Sequence, residues 1–351
     1  MLVNGKRANV RRVREQRVTF RYRLPRRDVA LRLVALDGKG RRTRSRPVGP
    51  VLGLPAAAAP RRSGSRELES LARALRRQAQ RFHGTSAMYV RDLASGEGAS
   101  WNASARFPAG STLKVALALE ALRTTDGSPP AGSPLATLLT NMIANSSNID
   151  ANRLAITIAG STGAASVRVN ALMARIGLGN SDLFGGYLVE DDELAARGLT
   201  RVAGLPPRFP PQAPREIPLS VIDEPDFGRG KQTTAADLAT LFSAIHLAAG
   251  GKGPLIKEFR GAITPAEARH LLFLLVHTGD QDAKLAQRVP RATVAHKAGW
   301  ISTARHDAGI VYWKGGAFVA AVMTFNASGV GNASDQLAAR AARTSLETFR
   351  G

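Results

Sequence analysis

The sequence contains no cysteine, which excludes disulfide cross-links, thiolate metal ligands and a cysteine nucleophile, and is compatible with either side of a membrane. Histidine is scarce: six residues in 351, with no HExxH or comparable ligand spacing. A metal enzyme is therefore not expected, and no cofactor is implied. Long hydrophobic runs are missing too. None approaches the roughly 20 apolar residues that span a bilayer, and the first residues carry arginine where an export signal would carry its apolar core. Acidic residues are few, 27 against 49 Lys plus Arg, for a net charge of +22. Lysine itself is rare, with 9 lysines beside 40 arginines.

What is present suffices for a globular fold. Hydrophobic residues make up 44% of the chain, enough for one large domain and a smaller piece. The positive charge is unevenly spread, since residues 1–65 hold 18 basic and 3 acidic side chains. The excess thus belongs mostly to the N-terminal piece, and no specific nucleic-acid partner is expected from it.

That piece alternates apolar and polar residues. VTFRYRL (residues 18–24) and Val29, Leu31 and Leu33 before the Asp37-Gly38 turn signal read as β-strands. At most three or four strands fit, whereas an immunoglobulin sandwich needs about seven strands in about 100 residues. VALRLVALDGKGRRTRSRPV resembles the last strands of a bacterial immunoglobulin-like module; the alternative is a short basic β-hairpin appendage. The sequence is accordingly expected to begin inside a longer reading frame, with any export signal upstream. Residues 1–52 are read as a partial immunoglobulin-like segment, residues 53–66 as a linker of Pro, Ala, Gly and Ser, and residues 67–351 as one domain.

In that domain, helices are expected at Glu67–Phe82, Leu135–Ala144, Asp150–Ala159, Ala164–Ile176, Thr234–Ala249, Pro265–Val276 and Ser334–Phe349. Strands are expected at Ala87–Asp92, Ala99–Asn102, Ala292–Gly299, Ala308–Trp313 and Ala317–Phe325. The Pro- and Gly-rich stretch from Gly185 to Lys231 is too long for an ordinary connection. Helices at both ends, an antiparallel sheet and a helical insertion give an α+β domain of two lobes.

FPAGSTLKVALALEALR (107–123) carries the first chemical signal: a helix apolar on nearly every side that nevertheless contains Lys114. Ser111 would either cap this helix or share a face with Lys114, three residues on. A lysine among apolar neighbours must lose its charge or find partners, and a lowered pKa suits a general base for a serine nucleophile. Ser146 and Asn148 in NSSNIDANRL fall between two helices, with capping of the second helix as the alternative. Lys297 in VAHKAGW ends a strand, two residues before a glycine that permits close backbone approach.

STLK (Ser111–Lys114), Ser146-Ser147-Asn148 and Lys297-Ala298-Gly299 together resemble the SxxK, SDN and KTG motifs of the serine β-lactamase and penicillin-binding protein superfamily, closest to the class A β-lactamase-like hydrolases. Ser147 stands for the aspartate, and Ala298 for the hydroxyl residue. The resemblance covers residues 67–351 and implies a two-lobed β-lactamase/transpeptidase fold. It further implies Ser111 as nucleophile, Lys114 as its base, and Ser146 as proton relay to the leaving nitrogen. Lys297 and Arg305 would meet a substrate carboxylate, Asn148 a substrate amide, and the N–H groups of Ser111 and Trp300 would form the oxyanion hole beside Gly299. A deacylating glutamate is expected between the second motif and the helix near Thr234. Glu216, in Glu216-Ile217-Pro218-Leu219-Ser220, matches that pattern in part, with Glu190, Asp191, Asp192 and Glu193 as competitors. His306 and Asp307 are expected to be structural rather than parts of a Ser-His-Asp triad. The implied partner is a small-molecule β-lactam or peptidoglycan-like substrate, the implied location extracytoplasmic. A cell-wall peptidase or esterase, and a penicillin-binding protein that does not turn over, are the alternatives.

Overall fold

Asn4 and Gly5 take left-handed backbone, φ 49° and 78°, and so fold β1 (Leu2–Val3) onto β2 (Lys6–Arg7) through a two-residue turn. The computed structural model describes residues 1–13, 18–20, 22, 29–46, 48–51, 66–125, 127–189 and 230–351. It divides into two units, Met1–Ala56 and Ala57–Gly351.

In the first unit β1 also pairs with β3 (Val29–Arg32), which pairs with β6 (Val48–Val51). A separate hairpin joins β4 (Val34–Leu36) to β5 (Arg42–Arg44). Its turn is organised by Asp37, whose Oδ1 accepts from Lys39 N and Arg41 N, both at 2.9 Å. Two expectations need correction here. Six strands form among the described residues, not three or four, because each spans only two to four residues. The strand read over 18–24 is absent at Val18–Phe20 and Tyr22; β3, the strand next in sequence, already has β1 and β6 along its two edges.

The second unit opens with α1 (Glu69–Gln80), whose Leu71, Leu75 and Ala79 recur every four residues and are buried on one face. They pack with Met88 and Val90 of β7 (Thr85–Asp92) and Ala99 of β8 (Gly98–Trp101). Each such leucine contributes about 1.5–3 kcal/mol relative to exposure. Then come β9 (Arg106–Pro108), α2 (Lys114–Arg123), α3 (Pro134–Ala144), α4 (Asn148–Ala159) and α5 (Thr162–Arg175). After residues 190–229, which hold most of the long stretch read from Gly185, the chain resumes at β10 (Gln232–Thr234), paired with β9. There follow α6 (Ala235–Ala249), α7 (Pro254–Glu258), α8 (Pro265–Val276), β11 (Thr293–Trp300), β12 (Ala304–Trp313), β13 (Gly316–Phe325) and α9 (Asn332–Arg350).

The five long strands form one antiparallel sheet in the order β11-β12-β13-β7-β8. α1 and α9 cover one face; Leu337, Ala341 and Leu346 of α9 join the Leu71 cluster. α6 packs against β7, β12 and β13, and α2 to α5 with α8 make a helical lobe. Every residue of α2 from Lys114 to Leu122 is buried, as the all-round apolar pattern requires. The fold is the expected α+β, two-lobed one. β12 begins four residues earlier than expected, at Ala304, because Arg305, His306 and Asp307 keep register with both neighbouring strands.

Candidate active site

β11 is an edge strand of the sheet, and its end runs against the entry to α2. A Cβ on Gly299 would lie 2.7 Å from Ser111 N and 2.8 Å from Ala109 O, and one on Gly110 would lie 2.8 Å from Trp300 N. Only glycines allow these two backbones to meet. Gly110 also has φ +53°, which other residues rarely adopt. The N–H groups of Ser111 and Trp300 are thereby brought to one small region. Ser111 lies in the tight turn before α2, where Lys114 N donates to Ser111 O at 3.2 Å. It is not the helix cap: that position is Leu113, without a side-chain cap bond.

Lys114 is fully buried. Its Nζ donates to Ser146 O and, at 2.5 Å, to Asn148 Oδ1. Lys297, 3% exposed, donates from Nζ to Ser146 Oγ at 2.8 Å and to Ala298 O at 3.0 Å. The structure thus places the three motifs together, with Ser146 receiving one lysine at its carbonyl and the other at its hydroxyl. Ser146 has φ 58°, a left-handed conformation that costs of order 1–3 kcal/mol in a serine and marks a constrained position. Ser147 Oγ accepts from Asp150 N at 3.1 Å, capping α4. Asn148 Nδ2 donates to Leu188 O at 2.5 Å.

A layer of buried charge lies behind Lys297. His296 Nδ1 pairs with Asp307 at 2.9 Å, and its Nε2 lies 3.2 Å from Thr278 Oγ1 and 3.7 Å from Asp280. Lys284 Nζ donates to Asp280 at 2.6 Å. Gly309 sits opposite His296 in the β11–β12 register, and a Cβ there would come within 2.5 Å of the His296 Cβ. Burial lowers the Lys297 pKa to about 8, against the pull of Asp280 and Asp307. Burial would lift the Asp280 carboxyl, but His296, Lys284 and Lys297 hold it down at about 2. Burial works against a charge on His296 too, yet Asp307 and Asp280 outweigh it and its pKa is raised.

Arg305 stands opposite Trp300 in register, with Nε and Nη2 clamped by Asp335 of α9, both at 2.7 Å. His306 and Asp307 do not combine: His306 Nε2 donates to Pro108 O at 2.6 Å, its Nδ1 accepts from Thr324 N, and Asp307 serves His296 and Leu285 N. Glu216, Glu190, Asp191, Asp192 and Glu193 lie outside the described residues.

Reading of the sequence missed several neighbours. The centre of the Tyr187 ring lies 4.7 Å from Lys114 Nζ and 4.8 Å from Lys231 Nζ. Asn152 of α4 holds the Tyr187 backbone at both N and O, at 2.7 and 2.8 Å. One signal was available. In a chain that prefers arginine, four of the nine lysines, 114, 231, 284 and 297, belong to this site or to the charge behind it.

The fold has relatives. Solved structures with the same fold include PBP-A, at 20% identity and TM-score 0.58, covering 82% of this chain and 98% of that one. A PBP-A mutant in an acyl-enzyme complex with penicillin G matches at 21% identity and TM-score 0.57, over 81% and 98%. The ancestral class A β-lactamase GNCA matches at 21% and 0.56, over 80% and 100%. No curated protein matches the chain. The family model described as the β-lactamase enzyme family matches residues 70–128 and 123–349, and with most of its length inside that match the chain belongs to the β-lactamase enzyme family.

Proposed function

We propose that the protein is an active-site-serine acyl hydrolase that opens β-lactams, or a related amide or ester, through an acyl-serine at Ser111. The observation that carries this reading is the double engagement of Ser146 by Lys114 and Lys297. Ser111 Oγ attacks the carbonyl carbon while Lys114 Nζ takes its proton. The N–H groups of Ser111 and Trp300 hold the oxyanion that develops. As the C–N bond breaks, Ser146 Oγ–H protonates the leaving nitrogen, and the proton held by Lys114 returns to Ser146. Lys297 attracts the substrate carboxylate, with Arg305 Nη1 as a second contact. Ala298 contributes no hydroxyl there. The remaining Nδ2 hydrogen of Asn148 serves the substrate's amide. Release of the acyl group by water, with Glu216 as the candidate base, is the step whose rate separates a hydrolase from a penicillin-binding protein.

The catalytic domain is residues 67–351, carried behind a partial immunoglobulin-like segment and a linker. The natural substrate is a β-lactam or a peptidoglycan-like amide, met outside the cytoplasm. No described helix is long and apolar enough to cross a membrane. Capture of a PBP-A mutant as a penicillin G acyl-enzyme supports acylation as the shared step, and leaves a penicillin-binding protein without turnover as the second reading. Labelled penicillin is expected to attach to the wild-type protein and not to Ser111→Ala, the far-UV spectrum being the same. Equal labelling of the two would end the acyl-serine reading.

A further inference from the structure

Hydrolysis of an acyl-serine needs a water and a base to activate it. Beside Lys114, on the segment that follows α5, the structure puts an aromatic ring. That segment is held by side chains at successive residues: Lys231 Nζ donates to Gly186 O at 2.5 Å, Asn152 brackets Tyr187, and Asn148 takes Leu188 O. Asn170 holds Leu183 at N and O, at 2.8 and 2.9 Å. Gly186 packs close as well: a Cβ there would lie 3.0 Å from Asn152 Oδ1. Tyr187 is 8% exposed, and its buried phenol oxygen has no hydrogen-bond partner among the described residues. A buried hydroxyl left unpaired costs about 1–3 kcal/mol, so the ring is retained there at a cost. The cationic Lys231 against the desolvated ring supplies the offset, and the Lys114 amine packs on the same ring.

Resting on the acyl-serine reading in its slow-release form, we infer that Tyr187 is a positioning residue that fills the space beside Lys114 with a ring packed against two lysines, keeps water from the acyl ester, and makes the acylated protein long-lived. Burial raises the pKa of the phenol further, so the group itself stays neutral and takes no proton from water. Acylation is untouched by this arrangement, because the Ser111 proton goes to Lys114. The reaction then halts at the covalent adduct: C–N bond broken, nitrogen protonated, ester intact. The chain would behave toward β-lactams as a penicillin-binding protein with very slow release.

The test is intact mass against time after mixing the full chain with penicillin G, for wild type, Tyr187→Phe, Tyr187→Ala, Tyr187→Leu and Glu216→Gln. The wild-type adduct is expected to persist. Tyr187→Ala should shed it about tenfold faster or more, Tyr187→Leu less so, and Tyr187→Phe at the wild-type rate, because the ring and not the hydroxyl does the shielding. Tyr187→Leu stands in if the alanine variant does not fold. A merely structural role would slow adduct formation in these variants and leave its decay unchanged, which overturns the inference. So does Tyr187→Phe decaying as fast as Tyr187→Ala, or a wild-type adduct that is lost quickly and persists only in Glu216→Gln. No adduct in wild-type protein of normal far-UV spectrum would instead overturn the acyl-serine reading itself, and this inference with it.

Discussion

On the acyl-serine reading Lys297 attracts a substrate carboxylate, and for that it must keep its charge. Lys297 has little to spare, because burial takes its pKa from the ordinary 10.5 to about 8, even with Asp280 and Asp307 favouring the ammonium. The rate of acylation by penicillin G is therefore expected to fall as pH rises through about 8. Asp280→Asn removes one of the two attractions and should move that fall to lower pH. A fall that stays where it was, measured as adduct formation across pH, would take Lys297 out of carboxylate binding. For stability the sign is opposite: with a folded-state pKa below the unfolded value, the charged lysine burdens the fold below pH 8, and the burden lifts between about 8 and 10.5. Ser147 is simpler. Its hydroxyl caps α4, so Ser147→Ala should cost about 1 kcal/mol, and Ser147→Asp, which restores an acceptor near the helix N-terminus, almost nothing. Thermal melts of the two variants decide this. Equal losses would mean that the cap is not what the residue provides.

At the scale of elements, much could be read from local pattern. The unbroken apolar run after Ser111 gave α2, and Pro265–Val276 was bounded by Thr264-Pro265 at one end and a polar turn at the other. The three motifs named Ser111, Lys114, Ser146, Asn148 and Lys297 because each belongs to a short, fixed spacing. Tyr187 could not be found that way. Its place against Lys114 depends on Asn152, 35 residues earlier, and on Lys231, 44 residues later, and no period links them. His296 and Asp307 are a similar case: they touch only because β11 and β12 pair in one particular register. Glu216 was sought by a loose ExxL pattern, and such a pattern cannot say which residue of a long loop reaches a lysine. N-terminal strands of two to four residues carry too little alternation to count, which is why six were read as fewer.

The whole molecule pairs a strongly basic N-terminal piece, 18 basic against 3 acidic side chains over residues 1–65, with a larger unit whose excess is smaller, 31 against 24 over residues 66–351. The second unit has its own closure at its start: Leu68 N donates to Gly98 O at 2.7 Å and Gly98 N to Arg66 O at 3.0 Å, so residues 66–68 lie along β8 like a short extra strand. Its core is internal, built from α1, α9 and the sheet. A chain beginning at Ser65 keeps every one of these contacts and sheds most of the positive charge. It is expected to melt within about 2 °C of the full chain, the shift that roughly 0.5–1 kcal/mol would produce in a protein of this size, and to be acylated by penicillin G at the same rate. On a DNA column the full chain should show weak retention that disappears as salt is raised, and the shortened chain none, because an arginine-rich segment binds a polyanion through released counterions and not through a shaped site. A drop of many degrees, or slower acylation, would mean that residues 1–64 contribute to the catalytic unit; strong retention that survives salt would restore nucleic acid as a partner.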